Sequence, residues 1–185
     1  RERVSPHVGA ILILFSLAVV YFLPQLEGKV VPQSDIIQYR GMAQEILQVQ
    51  EDTGEMPLWT NSMFGGMPSY QIHTPDGGNY LSVLDQVLRL GLDHPIGLFL
   101  PALLSFYILM IGLGANVWLA AIGAFAFAFT TNNLTLYGAG HISKLRAISY
   151  FPLVASGMVL SYRGRYVWGA LIFAAGLGLN IMANH

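Results

Sequence analysis

The sequence predicts an all-α polytopic membrane protein with about five transmembrane helices and a long first outer loop. Three observations carry this. Apolar residues make up 54% of the 185 and charged residues only 10%, against roughly 25% charged in soluble domains. The apolar residues gather in five runs near the ~20 residues that cross a bilayer as a helix. Arginines sit before the first run and between the fourth and fifth, two places on one side of such a bundle.

The first span covers residues 8–23, short but uncharged, and no small-residue cleavage site follows it, so it reads as a retained span. The second covers 95–115, with Pro101 as an expected kink. The third covers 117–136 and carries a polar run, 130–133, near its end. The fourth covers 145–162 around Pro152. The fifth covers 166–182 and holds Gly169, Gly176 and Gly178, small residues that suit close helix packing. The chain lacks an initiator Met and ends on Asn184 and His185 directly after an apolar run. It is read as the N-terminal part, 1–185, of one transmembrane domain that continues further.

Lys and Arg near span ends set orientation. Arg1 and Arg3, with Arg163 and Arg165, put the N-terminus in the cytoplasm. Residues 24–94, the 132–144 loop and the chain end are then outside. Lys144 and Arg146 fall outside in a short loop, against the rule. Either they snorkel or they hold an anionic ligand.

The outer loop 24–94 is too long for a plain connector. Residues 34–50 read as an amphipathic helix that Ser34 or Asp35 can cap, with Ile36, Ile37, Met42, Ile46, Leu47 and Val49 at helical spacing. Glu51-Asp52-Thr53-Gly54 ends it. A Gly/Pro/aromatic stretch follows over 59–70, then a turn cluster over 74–78, then a second amphipathic helix over 80–90. There Tyr80, Leu81, Val83, Leu84, Val87, Leu88 and Leu90 form the apolar set, and Ser82, Asp85, Gln86 and Arg89 the polar one. Both helices are expected to lie in the membrane interface with apolar faces toward lipid.

Several functions are excluded or unsupported. Net charge is −1, which gives no electrostatic case for nucleic acid. Cysteine is absent, which removes disulfides, thiolate metal sites and cysteine nucleophiles. The five histidines show no metal-ligand spacing, no P-loop is present, no G-x-G-x-x-G follows a strand, and Gly112-Leu113-Gly114 is a turn between spans.

The residues with chemical promise are few. Asp35 is a helix cap or a general base at the membrane face. Arg40, five positions on, does not share its helical face. Trp59, Asn61 and Tyr70 combine flat apolar faces with an amide, which suits sugar, although a self-packed loop with interfacial aromatics needs the same residues. Gly138-Ala139-Gly140-His141 leads to Lys144 and Arg146 at a helix start. His141, Lys144 and Arg146 therefore hold a phosphate or simply mark a turn with snorkelling cations.

Several separated motifs agree in order with one family. Gln33-Ser34-Asp35-Ile36-Ile37-Gln38-Tyr39-Arg40-Gly41-Met42, Pro57-Leu58-Trp59-Thr60-Asn61, Phe64-Gly65-Gly66-Met67-Pro68, Gly140-His141-Ile142-Ser143-Lys144 and Ala183-Asn184-His185 resemble the YfhO-like bacterial membrane proteins. That family is similar to the GT-C glycosyltransferases. The resemblance implies a multi-pass protein of the bacterial cytoplasmic membrane, a first outer loop with an acidic residue and two interfacial helices, and a site facing away from the cytoplasm. It implies a polyprenyl-phosphate sugar donor and a glycan, lipid or protein acceptor. On this reading Asp35 is the base, His141, Lys144 and Arg146 hold the lipid phosphate, and Trp59, Asn61 and Tyr70, with Arg40, bind substrate. Many GT-C enzymes carry a second acid near the first. Here Glu45 lies roughly three helical turns from Asp35. A divalent cation as cofactor stays open. So do two other functions, a transporter or flippase for a lipid-linked or anionic substrate and a non-catalytic assembly protein of the envelope.

Overall fold

The computed structural model describes residues 4–73 and 79–183. The predicted turn over 74–78, and Arg1, Arg3, Asn184 and His185, lie outside the described residues. The protein is mostly helical. In order run α1 (Ser5–Tyr21), α2 (Leu23–Leu26), α3 (Ser34–Thr53), β1 (Trp59–Thr60), β2 (Met67–Pro68), a 3-10 turn (Ser69–Gln71), α4 (Leu81–Leu88), α5 (Ile96–Gly112), α6 (Val117–Ala128), α7 (Thr131–Ala139), α8 (Ile142–Tyr162) and α9 (Tyr166–Met182). They form two compact units, one of Arg1–Val31 with Tyr80–His185 and one of Pro32–Asn79.

The larger unit is a helical bundle. Ala10, Leu14, Ala18 and Phe22 give α1 one buried face, which meets Phe99 and Leu103 of α5 and the alanines of α6. Aromatic rings of Phe22, Phe99, Phe129 and Tyr137 close this core, with centroids 4.8 to 6.0 Å apart. Such pairs favour tilted and edge contacts because ring faces and edges carry opposite partial charge. Serine side chains join α5 to α8. Ser105 Oγ donates to the Ser149 carbonyl at 2.5 Å, and Ser149 Oγ reaches the Leu98 carbonyl of α5 at 3.3 Å.

Helices α8 and α9 pack closest of all, and glycine explains it. A Cβ on Gly176 would lie 2.7 Å from Leu153 Cβ, and one on Gly157 would lie 2.5 Å from Phe173. The approach expected at Gly169 and Gly176 is thus present, and Gly157 on α8 contributes a third point. Gly178 instead faces Leu81 of α4. Both α5 and α8 run unbroken through their internal prolines, Pro101 and Pro152.

The third predicted span is broken. Its helix stops at Ala128 and restarts at Thr131. The polar run accounts for this. Thr130 Oγ1 accepts from the Asn133 amide at 3.4 Å and caps α7. Asn133, 2% exposed, donates from Nδ2 to the Phe127 carbonyl at 2.9 Å and to that of Ala128 at 3.2 Å. Those carbonyls lose helical partners at the break, and the amide replaces them.

One stretch, Val117–Ala139, is long and apolar enough to cross a membrane, and 28% of its most apolar window is buried. Ser5–Tyr21, Ile96–Gly112 and Tyr166–Met182 are apolar and shorter.

The smaller unit is α3 with the β1–β2 hairpin, in which Trp59 pairs with Pro68 and Thr60 with Met67. The helix buries Ala43 and Ile46 while Ile37 and Leu47 stay exposed. Gly54 ends it in the left-handed region, φ 73°, a conformation that suits a residue without Cβ.

Candidate functional site

In the smaller unit the first candidate, Asp35, does not cap its helix. The N-cap of α3 is Gln33, and no side chain caps that end. Asp35 sits in the first turn, half-buried, where a carboxylate meets the positive end of the helix dipole. The capping role expected of Ser34 or Asp35 is therefore corrected, because the helix starts one residue earlier than its hydroxyl or carboxylate could serve. Ser34 Oγ donates to Asp35 Oδ1 at 3.4 Å. Arg40 is exposed one turn on. On the same helix Tyr39 Oη meets His73 Nδ1 at 2.5 Å, which ties the end of the 59–70 loop region to α3.

Glu45, not Asp35, organises that loop. Its Oε2 accepts from Thr60 Oγ1 at 2.5 Å, from the Ser62 amide at 2.8 Å and from the Asn61 amide at 3.1 Å. The Thr60 hydroxyl above all, then the Ser62 and Asn61 donors, hold its carboxyl below the usual range against an opposing desolvation. Ser69 Oγ donates to the Pro57 carbonyl and closes the loop base. Gly66 has φ +119°, and a Cβ there would lie 2.7 Å from Trp59 Nε1. The indole therefore lies directly on this backbone. Trp59 is still half-exposed, and Tyr70 and Asn61 are exposed. The stretch is an ordered hairpin that presents two aromatic faces and an amide to its surroundings.

In the larger unit the candidates divide. His141 is the N-cap residue of α8 and is exposed, as is Lys144. Gly140, φ +98°, closes α7, whose Leu136 carbonyl accepts from the His141 amide at 2.9 Å. Lys144 and Arg146 stand two residues apart on one helix, a spacing that directs them to different faces. Arg146 turns inward. Its Nε is buried and has no hydrogen-bond partner among the described residues.

What Arg146 turns toward is a polar cluster that the sequence did not reveal. Asp85 on α4 is 3% exposed. Its Oδ2 lies 2.9 Å from Arg89 Nε, one helical turn on. Its Oδ1 accepts from the Tyr150 hydroxyl of α8. The leucine face of α4, expected toward lipid, thus meets protein instead. Leu81, Leu84 and Leu88 pack on Tyr150, Leu153 and Leu179, and Asp85 enters with them because Arg89 and Tyr150 satisfy both its oxygens. Val83 and Val87 take the exposed side.

His94, between α4 and α5, completes the group. Protein crowding withdraws water from its ring, and the charges of Arg146 and Arg89 oppose protonation, so its pKa falls below the ordinary 6.5. Asp93 and Asp85 act the other way with less effect. Asp85 is committed to Arg89 and Tyr150. Arg146 is left as a cation with an unused buried donor, next to a neutral imidazole. Chemically this fits one anionic oxygen group. At the other end of α9, Asn180 Nδ2 donates to the Ala147 carbonyl at 2.8 Å, which fixes α8 one residue from Arg146.

Among the described residues no three His, Asp or Glu side chains come together as metal ligands. Comparison with protein families, with characterised proteins and with solved structures finds no match to this chain.

Proposed function

We propose that the protein is a multi-pass glycosyltransferase of the bacterial cytoplasmic membrane, with its N-terminus inside, of the YfhO-like kind that resembles the GT-C enzymes. It moves a sugar from a polyprenyl-phosphate donor to an acceptor outside the cytoplasm. The observation that carries this reading is Arg146, whose buried Nε has no hydrogen-bond partner among the described residues, beside the Asp85–Arg89–Tyr150 cluster of the helical bundle. An unmatched cation at such depth is costly unless an anion answers it.

The membrane part rests on exposed apolar surface. Leu12 and Val20 of α1, Ile122 of α6, Phe151 of α8 and Leu171 and Ile181 of α9 are all more than half exposed. A soluble bundle would bury such residues, whereas lipid covers them at no cost. The apolar helices α1, α5 and α9 have 17 residues each, at the lower limit of about 17 for a span.

The chemistry is a substitution at the sugar's anomeric carbon. The acceptor O–H bond breaks and its proton passes to the Asp35 carboxylate. A new bond forms from that oxygen to the anomeric carbon. The bond from the anomeric carbon to the lipid-phosphate oxygen breaks, and its electron pair leaves with the phosphate. The leaving group is a stable anion, so no general acid is needed, only cations to hold it. Arg146 is the principal one, with Lys144 and His141 nearby on the same helix start. Trp59 and Tyr70 offer stacking faces, and Asn61 and Arg40 hydrogen bonds, to the sugar or acceptor.

Transfer of labelled sugar from polyprenyl-phosphate donors in membranes carrying the protein tests this. Asp35→Asn, still folded and inserted, is expected to lower the rate about 10²–10⁴-fold, the usual worth of a general base. A near wild-type rate in that variant removes Asp35 from the chemistry. No transfer by the wild type across a broad donor panel moves the protein to transport or envelope assembly.

A further inference from the structure

A second basic site lies at the opposite end of α8 from Arg146. Arg163 follows the last turn of α8, 17 residues from Arg146, or roughly 25 Å at 1.5 Å per residue. A cleft of about 630 Å³ opens there, lined by parts of α1, α5, α8 and α9. That size is ordinary for a small-molecule site. Its character is divided. Ile108, Ile111, Leu160 and Ile172 make an apolar wall, while Arg163, Arg165, His7 and Trp168 stand at the polar side. Among the described residues, none that lines the cleft is a carboxylate.

The polar groups are held in place. His7 Nδ1 meets the Tyr107 hydroxyl at 2.7 Å, which ties the start of α1 to α5. Arg163 Nη2 donates to the Leu113 carbonyl at 2.9 Å, just past the end of α5. Arg163 is therefore partly engaged, whereas the Arg165 side chain has no hydrogen bond or ion pair among the described residues. A ring of amphipathic aromatics marks this end as a water–lipid boundary. Trp118, Tyr162, Tyr166 and Trp168 are 56 to 94% exposed and all lie here, at the start of α6, the end of α8 and the start of α9. Trp and Tyr concentrate at such boundaries.

Cations above an apolar wall at a membrane boundary match an amphiphile with an anionic phosphate head and acyl chains. We propose that this cleft binds an acidic glycerophospholipid, its phosphate on Arg165 and Arg163 and its chains along the isoleucine wall. Basic pockets among helices at one membrane face take acidic head groups in this way. The assignment rests on the membrane part of the function proposed above and not on sugar transfer, so each can fail alone.

Native mass spectrometry of the protein in neutral detergent provides the test, titrating short-chain phosphatidylglycerol, phosphatidylcholine and inorganic phosphate. Phosphatidylglycerol is expected to bind saturably and more tightly than phosphatidylcholine. Arg165→Gln should weaken it roughly fivefold, the worth of one cation at an anionic surface. Lys29→Gln, which removes an exposed cation far along the chain from the cleft, should leave it unchanged. Equal binding of both lipids overturns the proposal, as does an Arg165→Gln protein of unchanged melting temperature and unchanged affinity. If inorganic phosphate binds as tightly as the lipid and displaces it, the cleft is a phosphate site and the amphiphile assignment falls. Should Arg165→Gln fail to fold, Arg165→Lys and the wild-type preference between the two lipids still decide.

Discussion

Two carboxylates on two helices, Asp85 and Glu45, each gather donors, yet they do different work. Asp85 is sealed in the bundle with one charged and one neutral donor, Arg89 and Tyr150. Glu45 lies at the surface of α3 and gathers a hydroxyl and two backbone amides of one loop. Removing a buried ion-pair partner leaves the other charge without water or counter-charge. Removing the Glu45 acceptor leaves the Asn61 and Ser62 amides, which belong to exposed residues, to water, which replaces it. The first carboxylate should therefore govern whether the bundle holds, the second only how one loop is shaped.

The largest expected effect follows from Asp85. Asp85→Leu strands Arg89 and the Tyr150 hydroxyl and should destabilise the protein by about 3–5 kcal/mol, the range for breaking a buried pair. Thermal unfolding in detergent reads this. The double variant Asp85→Leu, Arg89→Met should recover much of the loss, because it removes the stranded charge as well. A double variant no more stable than the single one would mean that the carboxylate acts through Tyr150 or the backbone and not through the ion pair.

Asp85 also shows where sequence reading stops. The helices of the last two predicted spans were legible almost to the residue, 145–162 and 166–182 against Ile142–Tyr162 and Tyr166–Met182. Their apolar runs are long, and Arg163-Gly164-Arg165 separates them sharply. Helical spacing also found α4, yet it set Asp85 on the polar face and not in the core. Periodicity counts polarity along one helix and cannot see that Tyr150, 65 residues away, supplies a hydroxyl. The i,i+4 spacing of Asp85 and Arg89 was the one available hint, since a paired acid tolerates burial. For the broken span the polar run at 130–133 was visible, but its meaning lay in the carbonyls it serves. The same limit hid Glu45, whose donors come from a loop 15 to 17 residues on.

Acid separates the two regions next. The His94 pKa is lowered by withdrawal of water and then by Arg146 and Arg89. The unfolded chain therefore binds more protons than the folded one just below the ordinary value of 6.5. Stability should fall as pH drops below that value, and His94→Gln should flatten the fall. Glu45 titrates in a lower window. Its pKa is depressed below 4.5, mainly by the Thr60 hydroxyl, so its contribution is present above 4.5 and disappears as pH falls through the depressed value. Melting temperatures from pH 7 down to pH 5 should respond to His94→Gln and not to Glu45→Gln. A wild-type curve flat over that interval removes His94 as the source of acid sensitivity.

The smallest effect is the most local and needs a local probe. Glu45→Ala deletes the acceptor for the Asn61 and Ser62 amides and for Thr60 Oγ1, while the bundle keeps every one of its contacts. Amide hydrogen exchange at Asn61 and Ser62 should quicken, with the melting temperature of the larger unit unchanged. Glu45→Gln should give an intermediate rate, because one amide oxygen can still accept from part of the set but without the charge that strengthens each bond. Sugar transfer, if the proposed activity holds, should fall with loop order, since Asn61 is one of the three donors and Trp59 and Tyr70 flank the same hairpin. Unchanged exchange at both amides in Glu45→Ala would mean that the β1–β2 pairing and the indole lying on Gly66 hold the loop without Glu45. The comparison with Asp85 would then be one between a working carboxylate and an idle one.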